Sequence, residues 1–305
     1  MSTAKPKEID PKTLYLIKTL SRTRRKDYEN YVINAIWQRL ADNDIEVVSQ
    51  QYVEGGKNGR SHYFIDLYFP SLEIGIECDE AYHKNQSARD KEREVTIFDV
   101  LHGIKAGNSK LKLIRIDVTG SFDKLQTRIN KAVEIIKQRI ADRNHPRWII
   151  TAEEYYKNKC KISIRDRKGF KTIKDALNIL FKAGYKGGQR AEYAPAKFNG
   201  TPLEGCHVWF PQLAIRDENN KLITPKGINW NNQLMENGKR IEMRNVKGKS
   251  SFKPDGIKRI VFAKNKDALG NNEYIFVGIF ECVQENDGLS FYFNRIQEDC
   301  DLIKQ

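Results

Sequence analysis

No apolar run in the 305-residue chain approaches the roughly 20 residues that cross a bilayer as a helix. The opening stretch, MSTAKPKEIDPKT, has no hydrophobic segment of the kind a secretion signal carries, so export is not expected. Cysteine is sparse. Cys78, Cys160, Cys206, Cys282 and Cys300 are odd in number, scattered and free of any CxxC pair. That argues against a disulfide framework and a structural zinc site, and it suits a reducing compartment. Internal repeats and low-complexity tracts are also missing, which sets aside solenoids and long polar arrays. Acidic charge is in deficit: 40 Asp and Glu stand against 53 Lys and Arg, giving a net charge of +13. A polyanion, nucleic acid foremost, is the expected partner, although a basic soluble surface alone has the same composition.

What is present is enough apolar sequence for real cores, 39% of residues, and a length that suits two domains. Helical spacing predicts a helix over Arg24–Leu40, with Tyr28, Tyr31, Val32, Ala35, Ile36 and Leu40 on one side. Strands are expected at Ile45–Val53, His62–Phe69, Leu72–Cys78 and Leu111–Asp117. Ser87–Ile104 reads as a helix. Ser121–Arg143 reads as another, with Leu125, Ile129, Val133, Ile136 and Ile140 along one face. The first part is therefore expected to be a small mixed sheet flanked by helices, residues 1–145, ending where Pro146 disfavours further helix.

Residues 146–305 begin with a helical connector. Thr151 and Glu154 have capping-box spacing, and Thr172–Ala183 reads as a helix closed at Gly184. From Cys206 the texture turns to strands: Cys206–Ile215, Leu222–Trp230, Arg240–Asn245, Ile257–Lys264, Tyr274–Val283 and Leu289–Ile296. Short strands separated by turn signals predict a curved sheet or barrel. The fold class expected for the whole chain is α+β.

Carboxylates gather unusually for so basic a chain. Asp66 falls on one predicted strand and Glu77 and Asp79 on the next, with His83 just beyond. Acids that close repel one another unless a cation lies between them. Glu77 and Asp79 are i, i+2 and share a strand face, while Cys78 points the other way, into the core. Hard oxygen donors of this kind suit Mg²⁺, or Mn²⁺, held against a phosphate. His83 can polarise a water or protonate a leaving group. Acids at strand edges are also common, so spacing alone leaves a structural reading open.

Asp66, Glu77-x-Asp79, His83, Asp90-x-x-Arg93 on a helix and Leu113-Ile114-Arg115-Ile116 on a strand together resemble the Vsr-like branch of the PD-(D/E)xK nucleases. The resemblance covers about residues 20–140 and includes the earlier helix carrying Glu29. It implies that Asp66, Glu77 and Asp79 are metal-binding acids with His83 assisting. The family's usual lysine after the second acid is Asp79 here, so water activation falls to another group, with His83 and Lys84 nearby. Glu29 has two readings, an acid linked to the metal and, the favoured one, a structural partner of basic residues on its helix.

In the second half, Arg244, Lys247, Lys249, Lys253, Lys258 and Arg259 form a basic stretch suited to phosphates. Trp209, Gln212, Trp230, Asn232 and Glu242 supply aromatic and amide or acid groups, the chemistry needed to hold an extruded base by its face and its pairing edge. A Trp packed in a barrel core is the competing reading, and it is favoured for Trp209. A Vsr-like domain followed by an SRA-like domain resembles the modification-dependent restriction endonucleases over the whole chain. The resemblance implies cleavage of double-stranded DNA at a distance from 5-hydroxymethylcytosine, with preference for its glucosylated form. It also implies a flipped base, a homodimer that cuts both strands, and a place in the bacterial cell interior. Two other readings remain: a mismatch-type repair nickase and a non-catalytic reader of modified DNA. A strand-rich second domain counts against the nickase, which needs none.

Overall fold

The computed structural model describes residues 16, 27–42, 44–55, 62–79, 96–105, 107–142, 148–216, 222–223, 230–245, 247–248, 252–266, 272–286 and 289–303. The chain divides into two compact units, residues 1–92 with 104–150, and residues 93–103 with 151–305. No described helix is long and apolar enough to cross a membrane.

In the first unit, helix α1 (Asp27–Leu40) leads into strands β1 (Val48–Glu54), β2 (Tyr63–Phe69) and β3 (Ile74–Asp79). After helix α2 (Ile97–His102), which belongs to the other unit, come β4 (Ile104–Lys105), β5 (Lys112–Asp117) and helix α3 (Phe122–Asp142). The sheet order is β4-β1-β2-β3-β5. The β1–β2 and β2–β3 pairs are antiparallel, whereas β4 runs parallel to β1 and β5 parallel to β3. Val32, Ile33 and Ile36 of α1 and Leu125, Ile129, Val133 and Ile136 of α3 join one core with Leu67, Phe69, Ile74 and Ile76 of the sheet. Each helix presents one apolar stripe at three- and four-residue spacing, so both lie on the same sheet face. The opposite face has a smaller core of Val53, Ile65, Tyr68 and Ile104.

The second unit contains α2, helix α4 (Ala152–Tyr156), β6 (Lys161–Ser163) and helix α5 (Ile173–Phe181), followed by strands. These are β7 (Glu192–Tyr193), β8 (His207–Trp209), β9 (Leu213–Arg216), β10 (Leu222–Ile223), β11 (Trp230–Met235), β12 (Arg240–Asn245), β13 (Lys258–Lys266), β14 (Asn272–Asn286), β15 (Ser290–Gln297) and β16 (Asp299–Asp301). A nine-stranded sheet runs β10-β9-β11-β12-β15-β14-β13-β8-β7, and β16 pairs with β6 apart from it. Its edge strands, β10 and β7, are two residues long. Among the described residues the ladder therefore has two short edges rather than a closed ring.

Three element expectations change. The strand expected over Cys206–Ile215 breaks at Phe210-Pro211-Gln212, because Pro211 has no N–H to give a ladder. Trp230 opens β11 instead of ending the preceding strand. The long helix expected over Ser87–Ile104 is helical only at Ile97–His102 among the described residues, and Ile104 is already strand. Thr96 caps this short helix in a reciprocal box with Asp99: the Asp99 N–H donates to Thr96 Oγ1 at 3.2 Å, and the Thr96 N–H donates to Asp99 Oδ2 at 2.9 Å. Its Ile97 joins the second unit's core beside Leu213, Leu234, Val261 and Phe293.

Candidate functional site

The acid cluster is built where two strands lose their alternation together. In β1 the ladder pairs Ser49 with Leu67 and Gln51 with Ile65, which puts Gln50 across from Asp66. Val47 and Val53 lie an even number of residues apart, yet they pack in different cores. Ile65 and Leu67, two apart on β2, also pack in different cores. A regular strand would keep both pairs on one face. The switch centres on Gln50, whose φ is 56°. A left-handed non-glycine residue costs of order 1 kcal/mol, and such strain gathers at functional sites.

The switch brings Gln50 and Asp66 to Glu29 on α1. Gln50 Nε2 donates to Glu29 Oε1 at 2.8 Å and to Asp66 Oδ1 at 3.2 Å. The Cys78 N–H donates to Asp66 Oδ2 at 2.8 Å, which ties Asp66 to the strand that carries the other acids. Both carboxylates are inside the protein, Glu29 at 2% exposure and Asp66 at 7%. Charged groups so far from water require partners, and here a neutral amide supplies part of that need. Glu29 is thereby joined to Asp66 through one side chain.

Glu77 and Asp79 lie on the sheet face opposite Ile76 and Cys78, whose side chains enter the larger core. Arg115, paired in register with Glu77 on neighbouring β5, spans both acids. Its guanidinium reaches Glu77 Oε2 at 2.9 Å and Asp79 Oδ1 at 3.3 Å. Arg115 is more than half exposed, so this pairing is weak and easily exchanged. Burial, with Glu77 adding to it and Arg115 opposing, lifts the Tyr63 phenol above its ordinary value. Tyr63 therefore remains a hydrogen-bond donor beside Glu77.

His83 and Lys84, with Asp90 and Arg93, lie outside the described residues. Among the described residues no three His, Cys, Asp or Glu side chains converge closely enough to hold an ion by themselves. The donor chemistry still fits a hard cation. Mg²⁺ is commonly held by one or two carboxylates, with waters and substrate phosphates completing the shell, rather than by an all-protein cage.

In the second unit Trp230 is half-buried, its ring 6.0 Å from that of Phe291. Asn232 lies two residues on, opposite Met243 of the core. Its Oδ1 is buried and has no hydrogen-bond partner among the described residues. An unmet buried acceptor costs about 1–3 kcal/mol. Glu242 does not join this pair. It sits opposite Gln233 and Tyr292, and strand alternation puts it on the other face of the sheet from Asn232. The Tyr292 hydroxyl donates to Glu242 Oε1 at 3.5 Å. Trp209 is buried against Phe293, with rings 5.2 Å apart, and Gln212 is exposed just after the proline break.

Arg244, Lys247 and Lys253 are exposed, and Lys249 lies outside the described residues. Arg259 departs from the expected phosphate-contacting stretch. At 4% exposure it is clamped by both Asp255 oxygens, at 3.0 and 2.6 Å, and by Glu192 at 3.1 Å. It is a structural cation. Gln50 is the residue that sequence reasoning missed, and Arg115, read there only as part of a strand motif, pairs with two of the acids. A polar run, Ser49-Gln50-Gln51, in the middle of the strand is the signal that could have marked Gln50.

Residues 13–148 match the family model described as restriction endonuclease PvuRts1 I-like, N-terminal. Residues 155–302 match the SET and RING associated (SRA) domain. Among solved structures the chain is similar to the 5-hydroxymethylcytosine-specific restriction enzyme AbaSI. The TM-score is 0.66 and the identity 24%, over 94% of this chain and 96% of that one, so the two are distinct proteins of one fold. A search of curated proteins found no match.

Proposed function

The chain belongs to the restriction endonucleases that join a PvuRts1 I-like N-terminal domain to an SRA domain, and from that premise we propose that it cuts double-stranded DNA at a distance from a modified cytosine, which its second unit inspects outside the helix. The preferred base is 5-hydroxymethylcytosine, above all when glucosylated. The similar solved enzyme is described as specific for 5-hydroxymethylcytosine, which supports the choice. The protein works in the cell interior, and two copies pair so that both strands are cut.

The observation that carries base recognition is the buried Asn232 Oδ1, without a hydrogen-bond partner among the described residues and two residues along the strand from Trp230. A cytosine presents an exocyclic amino group, a donor for that oxygen, and Trp230 gives an apolar surface for the ring. A bulky group at the 5-position would project away from the pairing edge. Polar groups left unmet when the modification is missing would disfavour ordinary DNA. Arg244, Lys247, Lys249 and Lys253 would hold phosphates around the base, with affinity falling as salt rises.

At the nuclease site Asp66 and Glu77, with Asp79, would hold Mg²⁺ or Mn²⁺ and His83 would assist. Such an ion neutralises phosphate charge and makes a water more acidic. Arg115 carries a positive charge at the same place and is open to solvent, so it can turn to a phosphate when the carboxylates are engaged. Tyr63, kept protonated, can donate to an oxygen beside Glu77.

The test is digestion in Mg²⁺ of matched duplexes carrying cytosine, methylcytosine, hydroxymethylcytosine or glucosylated hydroxymethylcytosine. Cutting should be strongest for the last and absent for the first. Equal cutting of all four would overturn modification dependence. Tight binding of modified duplex without cleavage in any divalent ion would leave a reader instead of an enzyme.

A further inference from the structure

Gln50 has no place in the acid pattern read from sequence, yet its amide lies between two buried carboxylates. Its two N–H groups are shared out, one to Glu29 at 2.8 Å and one to Asp66 at 3.2 Å. The left-handed φ of 56° makes this reach possible, because a regular strand residue there would keep alternating with its neighbours. Asp66 is then fixed from both sides, by Gln50 at Oδ1 and by the Cys78 N–H at Oδ2.

The choice of side chain is informative. A lysine at this position would also hold both acids, but its charge would cancel much of the potential that attracts a cation. A glutamate would add a third charge. An apolar residue would remove the two hydrogen bonds that join the buried carboxylates. Glutamine alone among these fixes the pair by hydrogen bonds and leaves its charge intact.

We propose that Gln50 is a positioning residue for phosphodiester cleavage: its amide locks Glu29 and Asp66 in one arrangement, so that Asp66 presents an oxygen to the divalent cation. The inference rests on the nuclease reading above. It makes Glu29 part of the site through Gln50.

Gln50→Met keeps the side-chain length and removes both N–H groups. The Mn²⁺ concentration for half-maximal cleavage should rise at least tenfold, with maximal rate recovering in part at high Mn²⁺. Mn²⁺ retained by the enzyme–duplex complex on ice, counted by electron paramagnetic resonance of the free ion, should weaken by a similar factor. Binding of the same modified duplex in EDTA should change less than twofold. Unchanged metal demand in a folded Gln50→Met protein overturns the inference. So does a lower unfolding temperature with unaltered Mn²⁺ retention, which is the mark of a merely structural residue. If Gln50→Met does not fold, Glu29→Gln decides: it leaves Gln50 in place but weakens its hold, and it must raise the metal demand or the inference falls. Asp66→Asn separates the two levels. If that variant cuts normally, the nuclease reading itself fails. If it is inactive while Gln50→Met behaves as wild type, only the role of Gln50 fails.

Discussion

His102 should make the second unit acid-sensitive in a way one substitution can isolate. It ends α2, with its ring against Phe98 at a centroid distance of 4.2 Å. Nδ1 lies 3.1 Å from the Phe98 carbonyl oxygen and Nε2 3.1 Å from that of Asp166. Burial, reinforced by the nearby Arg167 charge, outweighs the two carbonyls and pushes the imidazole down from 6.5 to about 4. The native ring is therefore neutral at neutral pH and donates to one carbonyl. The unfolded chain takes up a proton near 6.5, before the native protein does, so lowering the pH favours unfolding. The stabilisation is complete above about pH 6.5 and is lost as the pH falls through about 4. At about 1.4 kcal/mol per pH unit the loss is on the order of 3 kcal/mol. Urea unfolding of wild type and His102→Gln between pH 7.5 and 4.5 removes the background of titrating carboxylates by difference. Wild type should lose stability faster than the variant through this window. A gap between them that does not vary with pH would refute the reasoning, and would mean that the two carbonyls hold a charged ring in the native state.

Two further outcomes follow from local geometry. Gly278, at φ 123°, sits where a Cβ would fall 2.4 Å from Arg295 Cδ and 2.9 Å from the Gln297 carbonyl oxygen. Gly278→Ala should cost about 2–3 kcal/mol in urea unfolding, and a change under about 0.5 kcal/mol would mean that Arg295 simply moves aside. Lys253→Ala should lower the slope of log affinity for modified duplex against log salt by about 1. An unchanged slope would remove Lys253 from the phosphate contacts.

Much of the first unit was legible because its helices and strands obey one period each. The stripe Leu125–Ile129–Val133–Ile136 can form only one kind of amphipathic helix, and Ile74, Ile76 and Cys78 alternate along β3. The switch at Gln50 and Asp66 was not legible, because alternation predicts a strand only while it continues. The separation of Glu242 from Asn232 had a different cause. Both lie in strands of mixed composition, and only the register of β11 against β12, Asn232 with Met243 and Gln233 with Glu242, decides which face each takes. Arg259 was misread for a related reason: its charge suggested solvent, while Asp255, four residues earlier, and distant Glu192 supply a buried clamp.

Helix α2 bears on how such a protein can be inherited. It is encoded within the span that matches the N-terminal family, residues 13–148, yet it packs in the second unit. A recombination joint at residue 150 would look clean on paper. It would strand Ile97 and Leu101 without their apolar surroundings, and His102 without the Asp166 carbonyl. A new reader joined to this cutter would have to bring its own version of residues 96–103, or accept the old one. The two halves are adjacent modules in the gene but not freely interchangeable ones, and exchange of target preference should proceed by point change within the second unit more readily than by wholesale replacement.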